Sequence, residues 1–226
     1  MFHNLREDLQ RYGGSGQQVK ALLLTPRVWA IVNYRFARWA CTARMPSVAR
    51  VPLKVCARLC TFLVEMVTSV ELPPQTAIGA GLFIPHAGYI VVASNAVIGL
   101  HCTLTHGVTI GHRAGGDVSQ FDSPVIGDRV YIGPGAVILG AINIGDDALI
   151  GANAVVIRSV PARAVVVGNP ARLISVKGSF DLISYPRMEH DAKRLASLAA
   201  SRQERERVST EEPPVRTTAL SHKNAS

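Results

Sequence analysis

Three histidines, His86, His106 and His112, each stand two places after a branched apolar residue: Ile84, Leu104 and Ile110. Imidazole is the side chain that most readily exchanges a proton near neutral pH, so histidines grouped beside a polar segment suit general-base chemistry. Such a segment follows directly. The stretch HRAGGDVSQFDSP, His112 to Pro124, is polar and glycine-rich and reads as an exposed loop.

The elements that must position these histidines are set by a repeat. Ile126, Ile132, Ile138, Ile144, Ile150 and Val156 fall in steps of six, and Gly127, Gly133, Gly145 and Gly151 follow four of them directly. A helix repeats its apolar face near 3.6 residues and a strand near 2. A step of six therefore predicts a coiled solenoid in which each hexad is one short strand and a corner, with the branched residue stacked inward. The register begins at Ile78 and Ile84 and runs on through Val92, Ile98, Leu104 and Ile110. The step from Ile84 to Val92 is eight, which inserts two residues near Gly88-Tyr89, and the step from Ile110 to Ile126 is sixteen, one hexad plus the loop. Residues two after an inward position face outward. Counting along the coil places His106 near His86, one coil further on.

The boundaries follow from composition. Residues 1–70 read as helical, with Thr25-Pro26 opening one helix and Pro46 and Pro52 punctuating the next; residues 71–176 form the solenoid domain; residues 177–226 form a polar extension, part helix and part disordered. The fold class is mainly β: a left-handed parallel β-helix behind a helical N-terminal region. No hydrophobic leader is visible at the N-terminus, and Cys41, Cys56, Cys60 and Cys102 form no disulfide-like pattern, which fits a cytoplasmic location. The net charge is +8, and from Arg27 to Arg58 there are seven basic residues and no acid, interleaved with Trp29, Ile31, Phe36 and Trp39. The plain reading is an amphipathic helical pair with its arginines in solvent; the sharper one is peripheral contact with an anionic membrane face through residues 27–58. Nucleic-acid binding is disfavoured because no recognised module accompanies the charge.

The segments IGAGLFIPHAGYIVVASNAVIG, LTHGVTIGHRAGG, PVIGDRVYIGPGAVILGAINIGDDALIGANAVV and VPARAVVVGNPARLI, taken in order, resemble the hexapeptide-repeat acyltransferases of the serine acetyltransferase type. The resemblance spans residues 71–176. It implies acetyl-CoA as co-substrate, no metal, a homotrimer, and His86 as the base that deprotonates the acceptor hydroxyl. It also implies Glu71, fifteen positions upstream, as the carboxylate that orients the imidazole. Gly111 and Gly133 are implied neighbours of the pantetheine arm and Arg172 a phosphate contact, with His106, Asp122 and Ser123 at the acceptor.

Two departures bear on the acceptor. Pro85 stands where the serine enzymes carry an acid, and Asp122-Ser123 stands where they carry an Arg-His pair. Recognition of a free carboxylate normally uses an arginine-like partner. The departures, with Glu-x-Pro before the repeat, look more like exopolysaccharide enzymes of the colanic acid type, so the expected acceptor is a sugar hydroxyl, with L-serine as the alternative. A remote alternative is a zinc enzyme of the carbonic anhydrase type, because His101 and His106 show H-x4-H spacing. Catalytic zinc needs three protein ligands, and roughly thirty-five residues earlier the chain has Glu65 and Met66.

Overall fold

Each hexad becomes one short strand and one corner, because an inward branched residue is followed by a tight turn before the next. The computed structural model of the chain describes residues 2–112 and 123–211. Its strands form three faces of a left-handed parallel β-helix. One face holds β1 (Val70–Glu71), β3 (Ile90–Val92), β6 (Thr109–Gly111), β9 (Val137–Leu139) and β12 (Val155–Val156). A second holds β2 (Ala77–Ile78), β4 (Val97–Ile98), β7 (Val125–Ile126) and β10 (Asn143–Ile144). The third holds β5 (Thr103–Leu104), β8 (Tyr131–Ile132), β11 (Leu149–Ile150) and β13 (Val165–Val167), closed by β14 (Arg172–Ser175), which runs antiparallel to β13.

The pairing register sets like residue over like. Val92, Ile110, Ile138 and Val156 form one column. Ile78, Ile98, Ile126 and Ile144 form the second, and Leu104, Ile132, Ile150 and Val166 the third. All are buried and join one continuous core. The eight-residue step from Ile84 to Val92 is absorbed at a corner by Gly88 and Tyr89, whose φ values are 129° and 47°. Glycine enters that region freely; Tyr89 is carried outward and is largely exposed.

A stacked ion pair locks another corner. Arg129 Nε and Nη2 donate to Asp147 at 2.7 and 3.1 Å, and both side chains are buried. Burial works against the guanidinium charge, but the hydrogen bonds and charge of Asp147 outweigh it and hold Arg129 above its ordinary value. Ser179 is fastened to the same place: its Oγ donates to the Arg129 carbonyl at 2.6 Å and its N–H to the Asp147 carbonyl at 2.8 Å.

The N-terminal region is four helices: α1 (Phe2–Gln10), α2 (Ser15–Leu24), α3 (Pro26–Thr42) and α4 (Ser47–Thr68). Ile31 and Tyr34 of α3 join the same core as Ile78 and Leu82, so the helices pack onto the start of the tower. Solenoid ends need such caps. Arg35, expected in solvent on the basic face, is instead buried. It pairs with Asp8 of α1 at 2.7 and 3.0 Å and donates to the carbonyls of Ile78 and Gly79 at 2.8 and 2.6 Å. Arg38 likewise donates to the carbonyls of Pro74, Gln75 and Thr76. First-coil carbonyls that lack an earlier coil find these donors. Pro52, expected to punctuate the helices, lies inside α4. Near the helix start it removes one hydrogen bond, which the Val48 carbonyl would have accepted.

The segment from residue 177, expected as a polar extension, is anchored in its first part by buried Phe180, Ile183 and Tyr185 before α5 (Ala192–Glu211). Tyr185 stacks on His101, with ring centroids 3.9 Å apart and planes 6° from parallel. Burial, then the Arg11 charge, push the His101 pKa down from 6.5. The unfolded chain therefore binds more protons at this site, and stability is lost as pH falls from 6.5 toward the folded-state value. The melting temperature should drop between about pH 7.5 and about pH 5.5, and His101→Asn, which suits the left-handed φ of 54°, should make that drop shallower. An unchanged slope in the variant would show that His101 is not the group responsible.

Candidate active site

The chemistry gathers on the flank after the third face. Phe83 bridges to Thr103, Ile84 and Leu104 point inward, and two residues further on His86 and His106 emerge, both exposed. Their ring centroids are 6.0 Å apart at 79°, edge to face. The corner bulge makes the pairing possible. The Gly107 N–H donates to the Gly88 carbonyl at 2.9 Å, and the missing Cβ at Gly88 leaves room beside the His106 Cβ, which would lie 4.0 Å away. Neither ring hydrogen-bonds another described residue, so both can meet a ligand.

The third histidine is committed elsewhere. His112 Nδ1 lies 3.2 Å from the Ser123 Oγ, and Ser123 is buried. These two residues flank the loop, whose residues 113–122, Asp122 among them, lie outside the described residues. No spacing rule signals this contact, because its partners are eleven residues apart across the loop.

Glu71 is exposed in β1, where the register sets it opposite Val91, and no hydrogen bond or ion pair joins it to His86 among the described residues. It lines a cavity of about 450 Å³ with Lys54, Arg58 and Glu65. Burial, then the Glu71 charge, raise the Glu65 pKa. That cavity lies between α4 and the first coil and does not include His86 or His106.

Of the residues assigned to coenzyme A, Gly111 ends β6 and its carbonyl accepts from Gly140 at 3.0 Å. The Gly133 N–H already donates to the Ile150 carbonyl at 2.8 Å, and a Cβ there would strike the Ala152 nitrogen at 2.7 Å. That glycine serves the close approach of the next coil, and its amide has no hydrogen left for a ligand. Arg172 is exposed in β14 and shares a cavity of about 260 Å³ with Arg158 and Ser159. Two guanidinium groups at one cavity suit phosphate oxygens. Arg158 was missed in the sequence because it follows the last hexad without a motif of its own.

His101 and His106 do not converge. One ring lies on Tyr185 and the other against His86, and among the described residues no three His, Cys, Asp or Glu side chains are grouped as metal ligands. The arrangement best supports an exposed imidazole that takes a proton from an acceptor hydroxyl, with a second imidazole beside it.

Known proteins match this geometry and sequence. Residues 123–158 match the family model for the bacterial transferase hexapeptide (six repeats). The chain is 36% identical over 183 residues to the serine acetyltransferase of Mycobacterium tuberculosis, covering 79% of this chain and 76% of that protein. It superposes on the serine acetyltransferase of Brucella abortus in complex with coenzyme A with TM-score 0.64 and 31% identity, over 76% of this chain and 67% of that one. Against the Neisseria gonorrhoeae serine acetyltransferase in complex with serine the TM-score is 0.62 at 31% identity, over 77% and 69% of the two chains. These relatives give no support to the expected closeness to exopolysaccharide enzymes. Similarity of this degree over three-quarters of both sequences, in a shared fold, shows that the chain is an acyltransferase and belongs to the serine acetyltransferase family.

Proposed function

We propose that this enzyme transfers the acetyl group of acetyl-CoA to the side-chain hydroxyl of L-serine. The observation that carries the chemistry is His86, an exposed imidazole in edge contact with His106 one coil away. The acceptor reading is supported by the relatives, which are serine acetyltransferases, one of them in complex with serine. His86 accepts the hydroxyl proton as the oxygen bonds to the thioester carbonyl carbon. The carbon–sulfur bond then breaks, and the proton passes from the imidazolium to the departing thiolate, giving O-acetylserine and free coenzyme A. Arg172 and Arg158 hold phosphate oxygens of the coenzyme at their shared cavity.

Glu71 is the proposed orienting carboxylate. Its charge is opposed by Glu65, so turning toward a His86 imidazolium relieves one repulsion while gaining an attraction. His86 and His106 sit on an open flank of the single chain, and the site closes against a neighbouring chain of a homotrimer.

A sugar hydroxyl remains the second reading because Pro85 replaces an acid and Ser123 is held by His112 where a carboxylate partner would be wanted. Thiol release from acetyl-CoA, compared with L-serine and with sugar acceptors, separates the two. Saturable release with L-serine is expected. Release with a sugar and none with L-serine would overturn the acceptor.

A further inference from the structure

Helix α4 carries an apolar stripe that no described residue covers. Val48, Val51, Val55, Leu59, Phe62 and Met66 recur at steps of three and four, and each leaves more than half of its surface in solvent. The opposite side of the helix packs on α3 through Ala57 and Leu53, and Asn33 donates to Thr61 at 3.0 Å. A stripe pointing directly away from the body is far more apolar than a surface helix needs. Beside it run Arg50, Lys54 and Arg58, all exposed and spaced by one turn, and Glu65 is the helix's one acid. None of the three basic side chains makes an ion pair with a described residue.

We propose that α4 docks this enzyme on an anionic lipid surface, lying in the plane of the interface with its apolar stripe among the acyl chains and its basic row at the headgroups. Charge selects the occupant. A second copy meeting this face across a twofold axis would bring the same patch against itself, with Arg50, Lys54 and Arg58 on each side outnumbering Glu65 and the neighbouring Glu71. An anionic surface instead complements the row, and an amphipathic helix with basic residues beside an apolar face is the arrangement that binds there. No described helix is long and apolar enough to cross a membrane, so the contact is peripheral. Arg35 and Arg38 take no part, being bonded to Asp8 and to first-coil carbonyls. The inference is independent of which hydroxyl is acetylated.

The test is cosedimentation of the full-length protein with vesicles of phosphatidylcholine alone and with about one-third phosphatidylserine, at low and at physiological salt. Binding is expected with the anionic vesicles, weakened by salt. It should fall about 10²-fold when Arg50→Gln, Lys54→Gln and Arg58→Gln are combined, each basic residue contributing about fivefold. Leu59→Ser with Phe62→Ser, both at exposed positions, should also release the protein while acetyl transfer persists. Equal binding to both vesicle types, or none to either, would overturn the proposal. So would sedimentation velocity in which the serine pair lowers the oligomeric state, because the stripe would then be covered by another copy.

Discussion

Replacing His86 by alanine is expected to lower turnover about 10²–10⁴-fold at saturating acetyl-CoA and acceptor, with the melting temperature little changed. The side chain is exposed at a corner and has no described hydrogen bond, so its removal costs the tower almost nothing. What it removes is the proposed base for the hydroxyl proton as the carbon–oxygen bond forms. Glu71→Gln keeps shape and loses charge, so its effect should be smaller and should fall on turnover more than on KM. Near-normal turnover in His86→Ala would move the base to His106, the neighbouring ring at 6.0 Å.

The largest expected effect on stability lies at Ile138. This residue is fully buried between Ile110 and Val156, in the middle of a column that runs the length of the first face. Ile138→Asp places a carboxylate with no partner among apolar side chains, and a site of this kind costs well over about 4 kcal/mol. That is a large part of the stability of an ordinary domain, so the variant should be insoluble or unfolded at room temperature. Ile138→Val is the matched control. It keeps the branch at Cβ and should cost about 0.5–1.5 kcal/mol by thermal or urea unfolding. A soluble aspartate variant with native melting would mean that the column is not a sealed core.

The tower was legible because its signal is repeated and local. The positions from Ile126 to Val156 that fall in steps of six obey one geometric rule, and the two-residue insertion near Gly88-Tyr89 falls at a corner that the structure places beside His106. The neighbouring positions of His86 and His106 followed from counting along the coil. Arg35 was misread for a physical reason: a run of basic residues says nothing about where unpaired carbonyls lie, and those of Ile78 and Gly79 exist only because the solenoid starts there. Pro52 punctuates α4 without ending it: six residues in, it removes the bond to the Val48 carbonyl and crowds that carbonyl, yet the helix, packed on α3, runs on to Thr68. Phe180, Ile183 and Tyr185 lacked any periodicity and so carried no sign that they would pack. The acceptor was the hardest part. Asp122 and Ser123 were read as a lost carboxylate partner, yet Ser123 bonds His112, and which groups meet the acceptor depends on long-range packing that no spacing encodes.

The most direct measurement is NMR identification of the product formed from acetyl-CoA and L-serine, with initial rates for the wild-type enzyme and His86→Ala. Acetyl transfer to the serine side-chain oxygen is expected, at a rate about 10²–10⁴-fold lower in the variant. No acetylated serine from the wild-type enzyme, or equal rates from the two proteins, would contradict His86 as the base of a serine O-acetyltransferase.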